Sequence, residues 1–180
     1  MARLIALGPF GDLLPLQVGD VNCTEVTRDA LWSIAPFAGQ HAAVSAQMKT
    51  QIALDLPAVG RRAQVGDVIC QWVAHDQWLV TVPVTLDGLA AVTDLSDGFA
   101  LLEIAGPTVE DVLARLVPVD LRPHVFGVDD TARSLLGHMP VGITRTRTQA
   151  FEVMVMRSMA ASLVHDLRAA MVAVAARDTP

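Results

Sequence analysis

Residues 92–126 read VTDLSDGFALLEIAGPTVEDVLARLVPVDLRPHVF. A short apolar run reaches Ser96-Asp97-Gly98, and a second run follows from Phe99 to Ala105. Asp-Gly between two apolar runs is a hairpin signal, so the stretch predicts strand, turn, strand. Phe99, Leu101, Glu103 and Ala105 share one side of the second strand; Ala100, Leu102 and Ile104 share the other. Both sides are mostly apolar, which predicts a strand central in its sheet. Gly106-Pro107 stops it. Pro107 suits the first position of a helix, where a missing N–H costs nothing. Glu110 and Asp111 then lie where the helix dipole favours negative charge. Val109, Val112, Leu113 and Leu116 form one helical face, and Pro118 ends it.

Downstream, a loop passes through Pro123 and Gly127. Thr131 to Leu136 and Val141 to Arg147 read as strands with a break at Pro140. Gln149-Ala150 turns into a strand from Phe151 to Met156. Ser158 suits the N-cap of a last helix striped by Met159, Leu163, Leu167, Met171 and Val174, and residues 178–180 are expected to fray. Upstream, Val26, Arg28, Ala30, Trp32 and Ile34 alternate toward a strand end at Pro36. Val44, Met48, Ile52 and Leu56 recur every four residues, a helix closed by Pro57. Residues 58–65 read as a linker. Val68 to Ala74 and Trp78 to Val82 form a hairpin around His75-Asp76, and a short helix is expected at Leu86 to Ala91.

Two segments echo each other: Ala30-Leu31-Trp32-Ser33-Ile34-Ala35-Pro36 and Ala100-Leu101-Leu102-Glu103-Ile104-Ala105-Gly106. Each precedes a helix, and later in each half an aromatic, Trp78 or Phe151, opens the second strand of a hairpin. The expected fold class is therefore α+β: two pseudo-repeated strand-helix-hairpin-helix halves, about 25–91 and 92–180, in antiparallel-rich sheets with helices packed on them. Residues 1–24 form an N-terminal arm, rich in Gly and Pro and without a period, that docks on the surface or on a partner.

Composition narrows the function classes. Apolar residues make up 52 % of 180 residues and mean hydropathy is +0.43, values that fit a large buried subunit interface or a chain simply rich in Ala, Val and Leu. The net charge is −6. Lys49 is the only lysine, and no basic stripe points to nucleic acid or to a lipid surface. No window of about 18 unbroken apolar residues suggests a membrane span. Leu4-Ile5-Ala6-Leu7 is too short for a signal-peptide core, so a cytoplasmic location is expected. Cys23 and Cys70 are expected as buried free thiols.

No residue is expected to be catalytic, cofactor-binding or metal-ligating. Gly8-Pro9-Phe10-Gly11 lacks the rest of a dinucleotide fingerprint, and neither a P-loop nor a GxSxG elbow is present. His41, His75, His124, His138 and His165 contain no i, i+4 pair. Ser96-Asp97-Gly98 reads as a turn and not as a nucleophile. Asp94 and Asp97 read as solvated carboxylates. Arg145 and Arg147 alternate on one strand and read as an exposed face, with anion binding as the sharper alternative. Met154, Met156 and Met159 read as core filler; Trp32, Trp72 and Trp78 read as core or interface anchors.

The run from Thr93-Asp94-Leu95-Ser96-Asp97 through Leu102-Glu103-Ile104-Ala105-Gly106-Pro107 and Asp111-Val112-Leu113-Ala114-Arg115-Leu116 to Pro118-Val119-Asp120-Leu121 and Phe126 resembles the gamma subunit of heterotetrameric sarcosine oxidase. Leu54-Asp55-Leu56-Pro57, Gly66-Asp67 and Asp76-Gln77-Trp78-Leu79 match upstream; Phe151-Glu152-Val153 and Arg157-Ser158 match downstream. The likeness runs over about residues 30–171. Val117 departs from a cysteine common in that family.

The resemblance implies a fold like the folate-binding domain of the glycine-cleavage aminomethyltransferase. It implies a non-catalytic subunit that assembles and stabilises the complex with alpha, beta and delta partners. FAD, FMN, NAD, tetrahydrofolate and zinc would be bound by those partners. The complex would oxidise the N-methyl group of sarcosine, form peroxide and pass the one-carbon unit to tetrahydrofolate. Two alternatives follow from the same likeness: a stand-alone folate-binding aminomethyltransferase-like protein, and a gamma subunit of a related oxidase or dehydrogenase for another N-methylated amino acid.

Overall fold

The computed structural model describes residues 8–177; the Leu4–Leu7 run and the expected frayed end at 178–180 lie outside them. Strand Phe99–Ala105 (β8) is buried on both faces as its two-sided apolar pattern requires: Ala100, Leu102 and Ile104 on one side and Leu101 on the other are at most 6 % exposed.

The other elements, in order, are β1 (Leu16–Val18), β2 (Val21–Glu25), β3 (Trp32–Pro36), α1 (His41–Ile52), β4 (Arg62–Val65), β5 (Val68–Ala74), β6 (Gln77–Val80), β7 (Ala90–Asp94), then β8, α2 (Val109–Ala114), β9 (Thr131–Leu136), β10 (Met139–Arg147), β11 (Ala150–Met156) and α3 (Ala160–Ala175). They build two antiparallel sheets. The first has the order β4-β5-β6-β3-β7, the second β1-β2-β8-β11-β10-β9.

The topology repeats. β3, α1, β4, β5 and β6 correspond to β8, α2, β9, β10 and β11, because the last strand of each set returns to pair with the first. Ile34 opposes Trp78 in one sheet; Ile104 opposes Phe151 in the other. Even the irregularities agree. The register shifts between Trp72 and Ala74 opposite β6, and between Arg145 and Arg147 opposite β11.

The strand that precedes each set lies in the other set's sheet. β2 lies beside β8, with Cys23 opposite Ile104. β7 lies beside β3, with Val92 opposite Ile34. The hairpin expected across Ser96-Asp97-Gly98 therefore does not form: β7 and β8 belong to different sheets. A type I′ hairpin turn needs positive φ at its central residues, and neither Asp97 nor Gly98 has it. The turn closes locally, Gly98 N–H donating to Leu95 O at 2.8 Å, and hands the chain from one sheet to the next.

Other expectations are corrected. No helix forms at Leu86–Ala91; Gly88 takes φ +74° in a turn, and β7 begins at Ala90. The first half thus closes on a loop whose Val84 and Leu86 enter its core. α1 stops before Leu56 because Ala53 turns left-handed at φ 59°. The expected linker supplies β4. The alternating run from residue 25 becomes a strand only at Trp32. The arm expected over residues 1–24 contributes β1 and nearly all of β2 to the second sheet. The break expected at Pro140 is absent; Pro140 lies within β10.

Helices cover the outer face of each sheet. Val44 and Met48 of α1 pack on Ile34, Trp78 and Val80. α2 and α3 set Val109, Val112, Leu113, Leu163, Leu167 and Met171 against Leu102, Ile104, Phe151 and Val153. Arg157–Ala175 is long and apolar enough to cross a membrane by length and composition, but Leu163, Leu167, Ala170, Met171 and Val174 are buried in this core, as a core helix requires. Between the sheets a small cluster forms from Leu31, Val73, Leu79, Leu101 and Met154.

The sheets are also stitched at their edges. Arg62 N–H donates to Asp129 O at 2.8 Å and Thr131 N–H to Gly60 O at 2.9 Å, flanking a bridge between Arg61 and Asp130.

Candidate functional site

In the space between the sheets, polar side chains from both halves converge. The residues 26–31 that carry the chain from β2 to β3 bring Arg28 across it. Arg28 Nη2 donates to Glu152 Oε2 of β11 at 2.6 Å; the arginine side chain is 26 % exposed and the carboxylate 8 %. Glu152 faces the crevice because its neighbours Phe151 and Val153 face the helices. Gln71 Oε1 on β5 is buried without a partner. Gln77 Nε2 donates to Ser33 Oγ at 2.8 Å.

On one side of Arg28 is a cleft of about 310 Å³ lined by Glu25, Ser96, Asp97, Phe99 and Arg157. On the other is one of about 450 Å³ lined by Thr27, Asp29, Asp67 and Thr81. This set supplies charge and hydrogen bonds. Its chemistry is that of a part-buried ion pair tying the β2–β3 connection to β11. Sequence reasoning singled out neither Arg28 as a charge nor Glu152. The available signal was a carboxylate on a strand otherwise apolar on both faces.

The residues weighed from sequence fall elsewhere. The Ser96 hydroxyl donates to Asp94 Oδ1 at 2.6 Å, and the Ser96 amide reaches the same oxygen at 2.9 Å. These bonds favour the ionised carboxylate and hold Asp94 below the usual carboxylate range. Ser96 Oγ also accepts from Leu31 N–H at 3.0 Å. Ser96 is a clasp between the two halves.

Arg145 and Arg147 do not share a face, since the bulge falls between them. Arg147 reaches Glu103 Oε1 at 2.8 Å on the surface. Arg145, expected as exposed, is 1 % exposed. Its guanidinium lies 4.4 Å from the Phe151 ring centroid. Nε donates to Phe126 O at 2.7 Å and Nη2 to Glu110 Oε1 at 2.9 Å; further bonds run to the carbonyls of Leu121 and Thr148. With four of its five donors bonded and its side chain buried, Arg145 offers no open anion site. The Pro118-Val119-Asp120-Leu121 run has a structural meaning here: it brings the Leu121 carbonyl to the arginine. Asp120 stiffens that run by accepting from the Arg122 amide and guanidinium, which hold its carboxyl at about 2.

Cys23 and Cys70 are buried and free, and burial pushes both thiols up to about 12. Met154 is in the inter-sheet cluster, Met159 packs on the second core, and Met156 is 51 % exposed. Trp78 is buried in the first core, with Trp32 and Trp72 partly buried against it. His41 and His75 approach Asp76 at 3.1 and 3.2 Å on the surface. Among the described residues, no three His, Cys, Asp or Glu side chains gather as a metal-ligating group.

Residues 86–173 match the family model described as "Sarcosine oxidase, gamma subunit family". Curated relatives named sarcosine oxidase subunit gamma include one from Arthrobacter sp., 30 % identical over 66 % of this chain and 63 % of its own length. Another, from Corynebacterium sp. strain U-96, is 31 % identical over 63 % of this chain and 64 % of its own. The chain therefore spans somewhat less than two thirds of the length of these two relatives.

Among solved structures, a chain of the heterotetrameric sarcosine oxidase from Corynebacterium sp. U-96, in complex with pyrrole 2-carboxylate, superposes with a TM-score of 0.77 at 26 % identity, over 92 % of this chain and 90 % of that one. The glycine cleavage system aminomethyltransferase T from Bartonella henselae shares the fold, with a TM-score of 0.57 at 15 % identity over 83 % of this chain and 46 % of that one. The family match falls on the α2–α3 half that holds Arg145, and the structural match extends the likeness to both sheets.

Proposed function

We propose that the chain is the gamma subunit of a heterotetrameric sarcosine oxidase and acts in assembling and stabilising that complex. The observation that carries this reading is the superposition over nine tenths of both chains on a component of such an oxidase. Its supports are the high apolar content and a polar crevice whose arginine is already neutralised by Glu152. No catalytic, cofactor-binding or metal-ligating residue is assigned to this chain. FAD, FMN, NAD, tetrahydrofolate and zinc are assigned to alpha, beta and delta partners, where sarcosine would be demethylated to glycine, peroxide formed and the one-carbon unit passed to folate. The domain is taken as residues 25–180, with residues 1–24 as an N-terminal segment whose strands join its second sheet, and its place as the cytoplasm.

Co-expression with the products of the adjacent reading frames tests the proposal. The chain is expected to co-elute with a yellow complex that oxidises sarcosine. A chain that elutes alone as a stable monomer in their presence would overturn it.

A further inference from the structure

The internal repeat shows an unfilled position. In the second sheet β2 is itself covered: β1 pairs with it antiparallel, Leu16 opposite Cys23 and Val18 opposite Val21. The matching strand of the first sheet is β7, since Cys23 opposes Ile104 as Val92 opposes Ile34. β7 is an edge strand, and among the described residues nothing plays the part of β1.

Its unpaired groups can be named. Phe37 N–H donates to Leu89 O, and Leu95 N–H to Leu31 O. In an antiparallel ladder these bonds alternate along the strand. Residues 89, 91, 93 and 95 therefore point their backbone groups toward β3, and Val92 and Asp94 point theirs outward. The missing layer is visible beside the edge too. The second core is closed by α3; among the described residues the first has no such helix, and Trp32, Leu89 and Val92 remain only partly buried against it.

The edge carries one sign of charge. The segment from Leu86 to Gly98 holds Asp87, Asp94 and Asp97 and no Lys, Arg or His, and its Asp94 is held in the ionised form by Ser96.

We propose that β7 is a docking edge to which a partner subunit adds an extended strand, antiparallel to β7 and opposite Ala90–Val92, as β1 does on β2. Its apolar side chains extend the first core beside Val92, and basic residues flank it to meet the three aspartates. Strand addition draws its affinity from main-chain bonds and its specificity from alternate side chains and flanking charge. It also explains how an uncovered edge, an aggregation hazard when left open, is held in the assembly. This inference rests on the subunit reading above.

The test uses the co-expressed complex. Hydrogen exchange of the Val92 amide is expected to be slowed on the order of 100-fold or more relative to an unstructured peptide. Val92→Pro removes that outward amide while sparing the bonds to β3, as edge positions tolerate; Val92→Ala removes side-chain packing alone. Val92→Ala is expected to co-purify with the flavoprotein and Val92→Pro to be lost. Fast exchange at Val92 in an intact complex, or equal recovery of both variants, overturns the docking edge and leaves the subunit reading standing. Failure of the unmutated chain to co-purify overturns the subunit reading and the docking edge with it.

Discussion

Trp72 stands in the first sheet where Arg145 stands in the second. Each sits immediately before a register shift, and each opposes an aromatic that opens the returning strand, Trp78 or Phe151. The two halves have kept this geometry and exchanged its chemistry. Trp72 is partly buried against an apolar core and its indole N–H is buried without a partner. Arg145 is fully buried and donates to three carbonyls and one carboxylate.

Arg145 is therefore expected to be a stability determinant. Arg145→Leu strands the carbonyls of Leu121, Phe126 and Thr148 and leaves Glu110 without its partner. Breaking a buried pair in this way costs about 3–5 kcal/mol. Urea unfolding of the purified chain should show it as a lower midpoint. Arg145→Lys should recover little of the loss, because a point charge cannot satisfy a fork of acceptors. An unchanged midpoint for Arg145→Leu would refute this role.

Gly106 closes β8 where β2 crosses it. A Cβ there would lie 2.2 Å from Asp20 O and 2.8 Å from Val21 Cα, and the residue has φ +149°. Gly106→Ala must push the β1–β2 hairpin away from β8, at about 2–4 kcal/mol from backbone strain and lost packing of Val21. The expected readout is faster amide exchange in residues 16–25, with residues 150–156 much less affected.

The thiols give an alkaline signature. Burial raises Cys23 and Cys70 to about 12 from an ordinary value of 9.0, so the folded state keeps both protonated while the unfolded chain ionises first. Stability from this source is complete below about pH 9 and falls between pH 9 and 12. The loss is about 1.4 kcal/mol per thiol per pH unit at most. Urea midpoints at pH 8 and 10 should diverge less in a Cys23→Ala, Cys70→Ala variant than in the parent. In the native parent at pH 8, an aromatic disulfide reagent should label neither thiol until denaturant is added.

Much of the fold was legible from residue pattern. β8, β9 and β11 and the buried face of α3 follow from apolar period and punctuation, and the echo of Ile34 with Ile104 held through the register. The illegible part was pairing. Asp97-Gly98 marks a turn, but local chemistry at a turn does not say whether the next strand folds back or passes to another sheet; Ser96, bonded to Leu31 sixty-five residues away, makes that choice. The burial of Arg145 was hidden for a similar reason. An arginine is ordinarily exposed, and the groups that accept its donors are chiefly backbone carbonyls, of Leu121, Phe126 and Thr148, which leave no side-chain signature in the sequence.

Ser96 should report on its own acid limit. Its two bonds lower the Asp94 carboxyl, so any stability they lend is present above the ordinary carboxylate value of 3.8 and is lost as pH falls through the folded value. In Ser96→Ala the Asp94 titration, followed by carboxyl-carbon NMR, should move upward toward that ordinary value. An unmoved titration would mean that the Ser96 hydroxyl does not bond to Asp94 in solution.

The most direct measurement for the account as a whole is co-purification from cells that express the tagged chain together with the products of its adjacent reading frames. The account predicts a stable, yellow, sarcosine-oxidising assembly containing the chain in fixed stoichiometry. Recovery of the chain alone, colourless and monomeric, beside an assembly that is complete and active without it, would contradict it.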